Sequence, residues 1–265
     1  MLERIAHKSL LYNDSMLESL PRPAVFAHRG AAAHAPENTL SSFRLALEQG
    51  ADAIELDAKL SRDGQVVVHH DATVERTTGG HGFVWQLSFD ELRALDAGSH
   101  FSNAYRGERI PSLEEVFADF GDRLYINVEL TNYRTPWDGL VLRVCELVRK
   151  HALQGRVIFS SFLASNLEQA RRLMPDAARA LLARPGWRGA WARSFGFSFG
   201  EYAALHPNVV DASPQQMQRV HRLKRRVHVW PVNDVDVLRR LVDCGVDGIF
   251  TADPKLALQQ LGRGS

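Results

Sequence analysis

Short apolar runs alternate with helix-length amphipathic segments from residue 24 to the end of the chain. That alternation predicts βαβ units around a parallel sheet. Strand-like runs end near Ala27, Asp57, Leu130, Ser160, Leu182, His206, Trp230 and Phe250, and eight such runs suit a (β/α)8 barrel. Helices are expected over 39–49, 112–120, 137–151, 165–173, 213–223 and 234–244. Asn38 or Thr39, Ser213 ahead of Pro214, and Asn233 or Asp234 supply starting caps; Gly50 and Gly245 supply ends. Two stretches break the rhythm. Between His70 and Ser112 the chain is rich in Gly, Thr, Asp and Ser without sustained periodicity, which reads as an insertion over about 71–111 standing over the barrel's C-terminal mouth. The segment 184–199 mixes Gly186, Gly189 and Gly196 with Trp187, Trp191 and several Phe residues, and reads as loop carrying either a binding wall or core.

Alternation also places the first chemistry. Successive strand residues face opposite sides, so Glu55 and Asp57 point one way while Ile54 and Leu56 point the other. Two carboxylates side by side at a strand end need a cation or a shared proton. His28-Arg29-Gly30 follows the apolar run 24–27 and supplies groups suited to phosphate. The chain has 265 residues, near the upper limit for one hydrophobic core, so one domain is expected over 21–265, preceded by an N-terminal extension over 1–20. That extension reads as an exposed helix or a dimer contact, and a homo-oligomer is compatible with it. A net charge of +1 with interspersed acids and bases argues against nucleic acid and toward a small-molecule partner. Cys145 and Cys244 give neither a disulfide framework nor a metal-finger spacing, which fits a reducing compartment. Residues 1–20 carry Glu3, Arg4, Lys8, Asp14 and Glu18 rather than a signal-peptide core, and no run is long and apolar enough for a membrane span. The expectation is a cytoplasmic protein.

Seven strings in order then resemble the glycerophosphodiester phosphodiesterase family: His28-Arg29-Gly30, Pro36-Glu37-Asn38-Thr39, Glu55-Leu56-Asp57, His70-Asp71-Ala72-Thr73, Asn127-Val128-Glu129, Trp230-Pro231-Val232-Asn233 and 245–251. The resemblance implies a TIM barrel, one divalent cation, Mg2+ or Ca2+, and hydrolysis of glycerophosphodiesters to glycerol 3-phosphate and an alcohol. It implies Glu55, Asp57 and Glu129 as metal ligands, hard oxygen donors suited to either ion. His28 and His70 are the expected acid and base, the order between them left open. His69 and His70 face opposite sides of a strand, so one of them enters the site; His70, which begins the His-Asp-x-Thr string, is assigned to it. Arg29 is expected on the phosphate oxygens, as a bidentate fork, or in a salt bridge to Glu37 or a barrel acid. Asn127 and Trp230 complete the substrate contacts. His206 is similar to a family position near the pocket floor. The chain departs from the pattern at Thr131, where the family has a lysine two residues after the glutamate, and at Ala252, where an Asp usually follows Thr. Lysophospholipid hydrolysis, with the insertion and 184–199 holding the acyl chain, and mere binding of phosphoesters are the alternatives.

Overall fold

The structure is a computed structural model and describes residues 16–264. Nine strands form one sheet: β1 (Ala24–His28), β2 (Ala53–Leu60), β3 (Val66–Val68), β4 (Tyr125–Leu130), β5 (Val157–Ser161), β6 (Ala178–Ala183), β7 (Ala204–Pro207), β8 (Arg226–Val229) and β9 (Gly248–Thr251). β1 pairs in parallel with both β2 and β9, which closes eight of the strands into a TIM barrel. The remaining strand, β3, runs antiparallel on the outer end of β2.

Local chemistry explains where the helices begin. Thr39 and Ser42 form a reciprocal capping box on Leu40–Glu48, and Ser112 and Glu115 do the same on Leu113–Phe120. Ser213 caps Pro214–Arg222, and Asp234 rather than Asn233 caps Val235–Asp243. The helix expected from 137 starts later, at Leu140, because Gly139 takes the left-handed conformation at φ 83° and ends the preceding turn. A helix absent from the sequence reading, Pro254–Gln260, starts under an Asp253 cap. Among the described residues no helix is long and apolar enough to cross a membrane.

Apolar burial falls into layers. Outward-facing strand residues such as Val25, Ile54, Leu56 and Val128 pack with Phe43, Leu113, Val144 and Leu167 of the helices. The lumen holds mostly small side chains, Ala24, Ala53, Ala178, Ala180 and Ala204, beside Phe26, Ile158 and Phe250. Met16, Leu17 and Leu20 pack onto that set and are themselves buried. The end of the N-terminal extension therefore plugs the barrel floor and is not an exposed helix; residues 1–15 lie outside the described residues.

The insertion has its own small core of Val67, Val74, Val84, Leu92, Ala97 and Ile110. It follows β3, whose Val67 joins that core, and carries the short helices Glu75–Thr78 and Phe89–Arg93, each too brief to leave a periodic signal. In 184–199, Phe197 is buried, whereas Trp187, Trp191, Phe195 and Phe199 are 83%, 58%, 69% and 83% exposed. Those four are not core; Phe199 borders a surface cavity with Arg171, Arg179 and Tyr202.

Candidate active site

Register brings the acids together. Across the β2–β4 ladder, Asp57 stands opposite Glu129 and Glu55 opposite Asn127, all on the lumen face. One carboxylate oxygen from each of Glu55, Asp57 and Glu129 lies within 4.8 Å of the others. An ion bound at about 2.0–2.6 Å spans that spacing. Burial, then Asp57 and Glu129, push the Glu55 carboxyl well above its usual range. Burial and Asp57 push Glu129 up to about 7. For Asp57 burial acts in the same direction, but Arg29, with lesser help that includes the Asn38 hydrogen bond, outweighs it and holds the group to about 2. Three carboxylates this close cannot all ionise comfortably without a cation, so the donor set fits Mg2+ or Ca2+.

The loop after β1 braces this cluster. Arg29 has φ 59° and its backbone N–H donates to Glu55 Oε2 at 2.9 Å. Gly30 follows at φ 85°, and a Cβ there would lie 2.3 Å from Ser42 Oγ, so the turn requires glycine. Asn38 does not cap the helix; its Nδ2 donates to Asp57 Oδ2 at 2.9 Å. The Arg29 guanidinium pairs with Glu37 at 2.9 Å and with Asp57 at 3.4 Å, which is the salt-bridged alternative of the sequence reading. Arg76 from the insertion grips Glu37 through both Nη atoms and Asp71 through Nε at 2.6 Å. Asp71 in turn lies 2.6 Å from His70 Nδ1. One continuous chain of charges thus runs from the clustered carboxylates to His70.

A cavity of about 220 Å3 at the C-terminal mouth has His28, Arg29, Glu55, His70, Asn127, Glu129, His206 and Trp230 in its lining. His28 Nε2 is 3.9 Å from Glu55 Oε2, and burial followed by the charge of Arg29 lowers that imidazole to about 4. His69 turns away, buried, with Nε2 2.9 Å from the Thr73 carbonyl. Asn127 donates to Ser160 Oγ at 2.9 Å while its buried Oδ1 has no partner. Trp230 Nε1 donates to the His206 carbonyl at 2.8 Å, and its ring meets Phe162 edge to face at 5.7 Å. His206 lies 3.0 Å from His228, ring nitrogen to ring nitrogen, beneath the cavity. Asn233 neither caps nor lines the pocket; its Oδ1 accepts the Ala252 N–H at 2.9 Å. None of the four exposed aromatics of 184–199 lines this cavity.

Several contributors were absent from the sequence reading. Tyr133 donates to Glu129 Oε1 at 2.7 Å, and Asp71 and Arg76 fix His70. Lys59, likewise unassigned from the sequence, follows Asp57 by the same two-residue period that relates Glu55 and Asp57, and that period is the signal for it. A larger cavity of about 520 Å3 sits at the opposite end, around Leu17, Arg22, His221 and Asp247, and among the described residues it gathers no acid cluster.

Residues 28–256 match the Glycerophosphoryl diester phosphodiesterase family. A glycerophosphodiester phosphodiesterase of Caldanaerobacter subterraneus subsp. tengcongensis is 35% identical over 241 residues, covering 91% of this chain and 98% of that one. One from Bacillus subtilis is 32% identical over 261 residues, covering 91% and 87%. An Oleispira antarctica phosphodiesterase, solved in complex with the product sn-glycerol-3-phosphate, superposes with a TM-score of 0.79 at 30% identity, covering 91% and 97%. The barrel, the clustered acids and similarity along nearly the whole chain agree, and the protein belongs to the glycerophosphoryl diester phosphodiesterase family of phosphoric diester hydrolases.

Proposed function

We propose that the protein hydrolyses glycerophosphodiesters to glycerol 3-phosphate and an alcohol, with one divalent cation, Mg2+ or Ca2+, held by Glu55, Asp57 and Glu129. The observation that carries this reading is the convergence of those carboxylates with His28 and His70 at one cavity. The product found in the Oleispira relative supports the substrate class. A bound cation supplies polarisation of a phosphoryl oxygen and offsets charge that develops on it. Arg29, anchored between Glu37 and Asp57, presents its remaining edge to the other phosphate oxygens. An alkoxide is too basic to leave unprotonated, and the attacking hydroxyl must shed a proton, so the two imidazoles divide these transfers. His70 has Nδ1 occupied by Asp71, which leaves Nε2 as its exchanging nitrogen. Asn127 offers its unpartnered Oδ1 to a glycerol hydroxyl, and Trp230 packs against the carbon side.

Glycerophosphocholine hydrolysis by the purified protein tests this. Chelation should abolish turnover and Mg2+ or Ca2+ should restore it; a rate indifferent to chelator overturns the metal. Replacing either histidine by Ala should lower kcat at least about 100-fold with unchanged circular dichroism, and near-normal turnover removes that residue's role.

A further inference from the structure

Beside the main pocket lies a smaller cavity of about 130 Å3, whose lining includes Lys59, His70, Trp85, Thr131, Arg134 and Asp138. His70 is the residue shared by the two linings. The charge balance of this second space is unusual. Lys59 is 7% exposed, and its Nζ donates to the Thr131 hydroxyl at 2.6 Å and to the Thr131 carbonyl at 3.3 Å. It forms no ion pair among the described residues. The acids whose fields reach it are Asp57, Glu129 and Asp71. Each has closer partners: Arg29 and Asn38 for Asp57, Tyr133 for Glu129, His70 and Arg76 for Asp71. Asp138, the carboxylate in the cavity wall, accepts from Asn132, Thr135 and the backbone of Leu140. Arg134 stands exposed at the rim and pairs with no acid among the described residues. A buried ammonium without a counter-charge is costly, and a ligand anion removes the cost.

We propose that this cavity receives the leaving alcohol and favours alcohols that carry an anionic group, a phosphate in particular, over cationic ones such as choline. The proposal rests on the hydrolase reading above. In that reaction the bond from phosphorus to the alcohol oxygen breaks, the oxygen of water takes its place, and the departing oxygen gains a proton. A proton donor for that oxygen stands between the phosphate and the alcohol, and His70, which lines both cavities, is the residue that can serve there. Lys59 from within and Arg134 from the rim then meet the anion by charge-assisted hydrogen bonds.

The test compares kcat/KM of the Mg2+-loaded enzyme on three diesters that differ beyond the scissile bond: glycerophosphoglycerol phosphate, glycerophosphoglycerol and glycerophosphocholine. The expected order is phosphorylated, neutral, cationic. Lys59→Gln should cut the ratio of the first to the third about tenfold, the size of one hydrogen bond to a charged group, and Arg134→Gln should cut it in the same direction. Arg134, at the exposed rim, keeps the test open should Lys59→Gln fail to fold. Wild-type enzyme with no preference for the phosphorylated diester, or variants that lower all three rates equally, overturn the subsite while leaving the hydrolase intact. Failure to cleave any of the three overturns the hydrolase reading itself.

Discussion

At the N-terminal end of the barrel Met16, Leu17 and Leu20 seal the lumen, and the acids there are answered within the chain. Asp247 accepts from His221 at 2.7 Å and from the Val227 N–H at 2.9 Å, and Asp52 accepts from the Val25 N–H at 2.7 Å. At the C-terminal end the same strands bring three acids within 4.8 Å and leave Asn127 Oδ1 unpartnered. At the first end these two acids are each answered within the chain. The other crowds three carboxylates and leaves a buried amide oxygen without a partner in the chain, demands of the kind that mark ligand sites.

The contrast is open to direct attack. Glu55→Gln at the mouth should lower kcat about 1000-fold, since metal-assisted charge stabilisation is worth several kcal/mol and each 1.36 kcal/mol is about tenfold. The same change should raise the Tm of the metal-free protein, because it removes one of three crowded carboxyls; a lower Tm would mean the acids are not in conflict. Leu20→Ala at the floor should do the reverse: about 2–5 kcal/mol less stability by denaturant titration, with kcat unchanged below the transition. A large activity loss there would join the two ends that we treat as separate.

The smallest effect concerns His206 and His228, between the ends. Burial lowers His206 to about 3, and burial with the neighbouring His206 lowers His228 well below its usual value. Between pH 3 and 6.5 the unfolded chain binds protons that the folded pair refuses. Stability therefore rises with pH through that window, is complete above it and is lost on acidification. Subtracting the pH profile of His206→Gln from that of the wild type isolates this slope from the opposing contribution of Glu55 and Glu129, whose raised values act the other way. Superimposable profiles would contradict it.

Much of this was legible because two regularities are local. Alternation along β2 put Glu55 and Asp57 on one face, and the regular succession of apolar runs marked the strands of the barrel. What the sequence concealed depends on register between distant segments. Lys59 meets Thr131 because β2 and β4 pair with Ala58 opposite Leu130, across 72 residues of chain. The lysine missing at position 131 and the lysine present at position 59 are thus neighbours, a relation no spacing rule along one strand reveals. Asn38 looked like a cap because its side chain suits one, yet Thr39 takes that task and frees Asn38 for Asp57. Leu17 and Leu20 were invisible as core because a few residues carry too short a period to register.

The ion-pair relay from Arg29 through Glu37, Arg76 and Asp71 to His70 couples the insertion to the first barrel loop. Trimming the excursion after β3 would therefore unseat an imidazole and loosen a guanidinium in a single cut. The ornament on the barrel is a keystone, and any shortened descendant of this chain has to rebuild both ends of the relay to hold those two side chains where they stand.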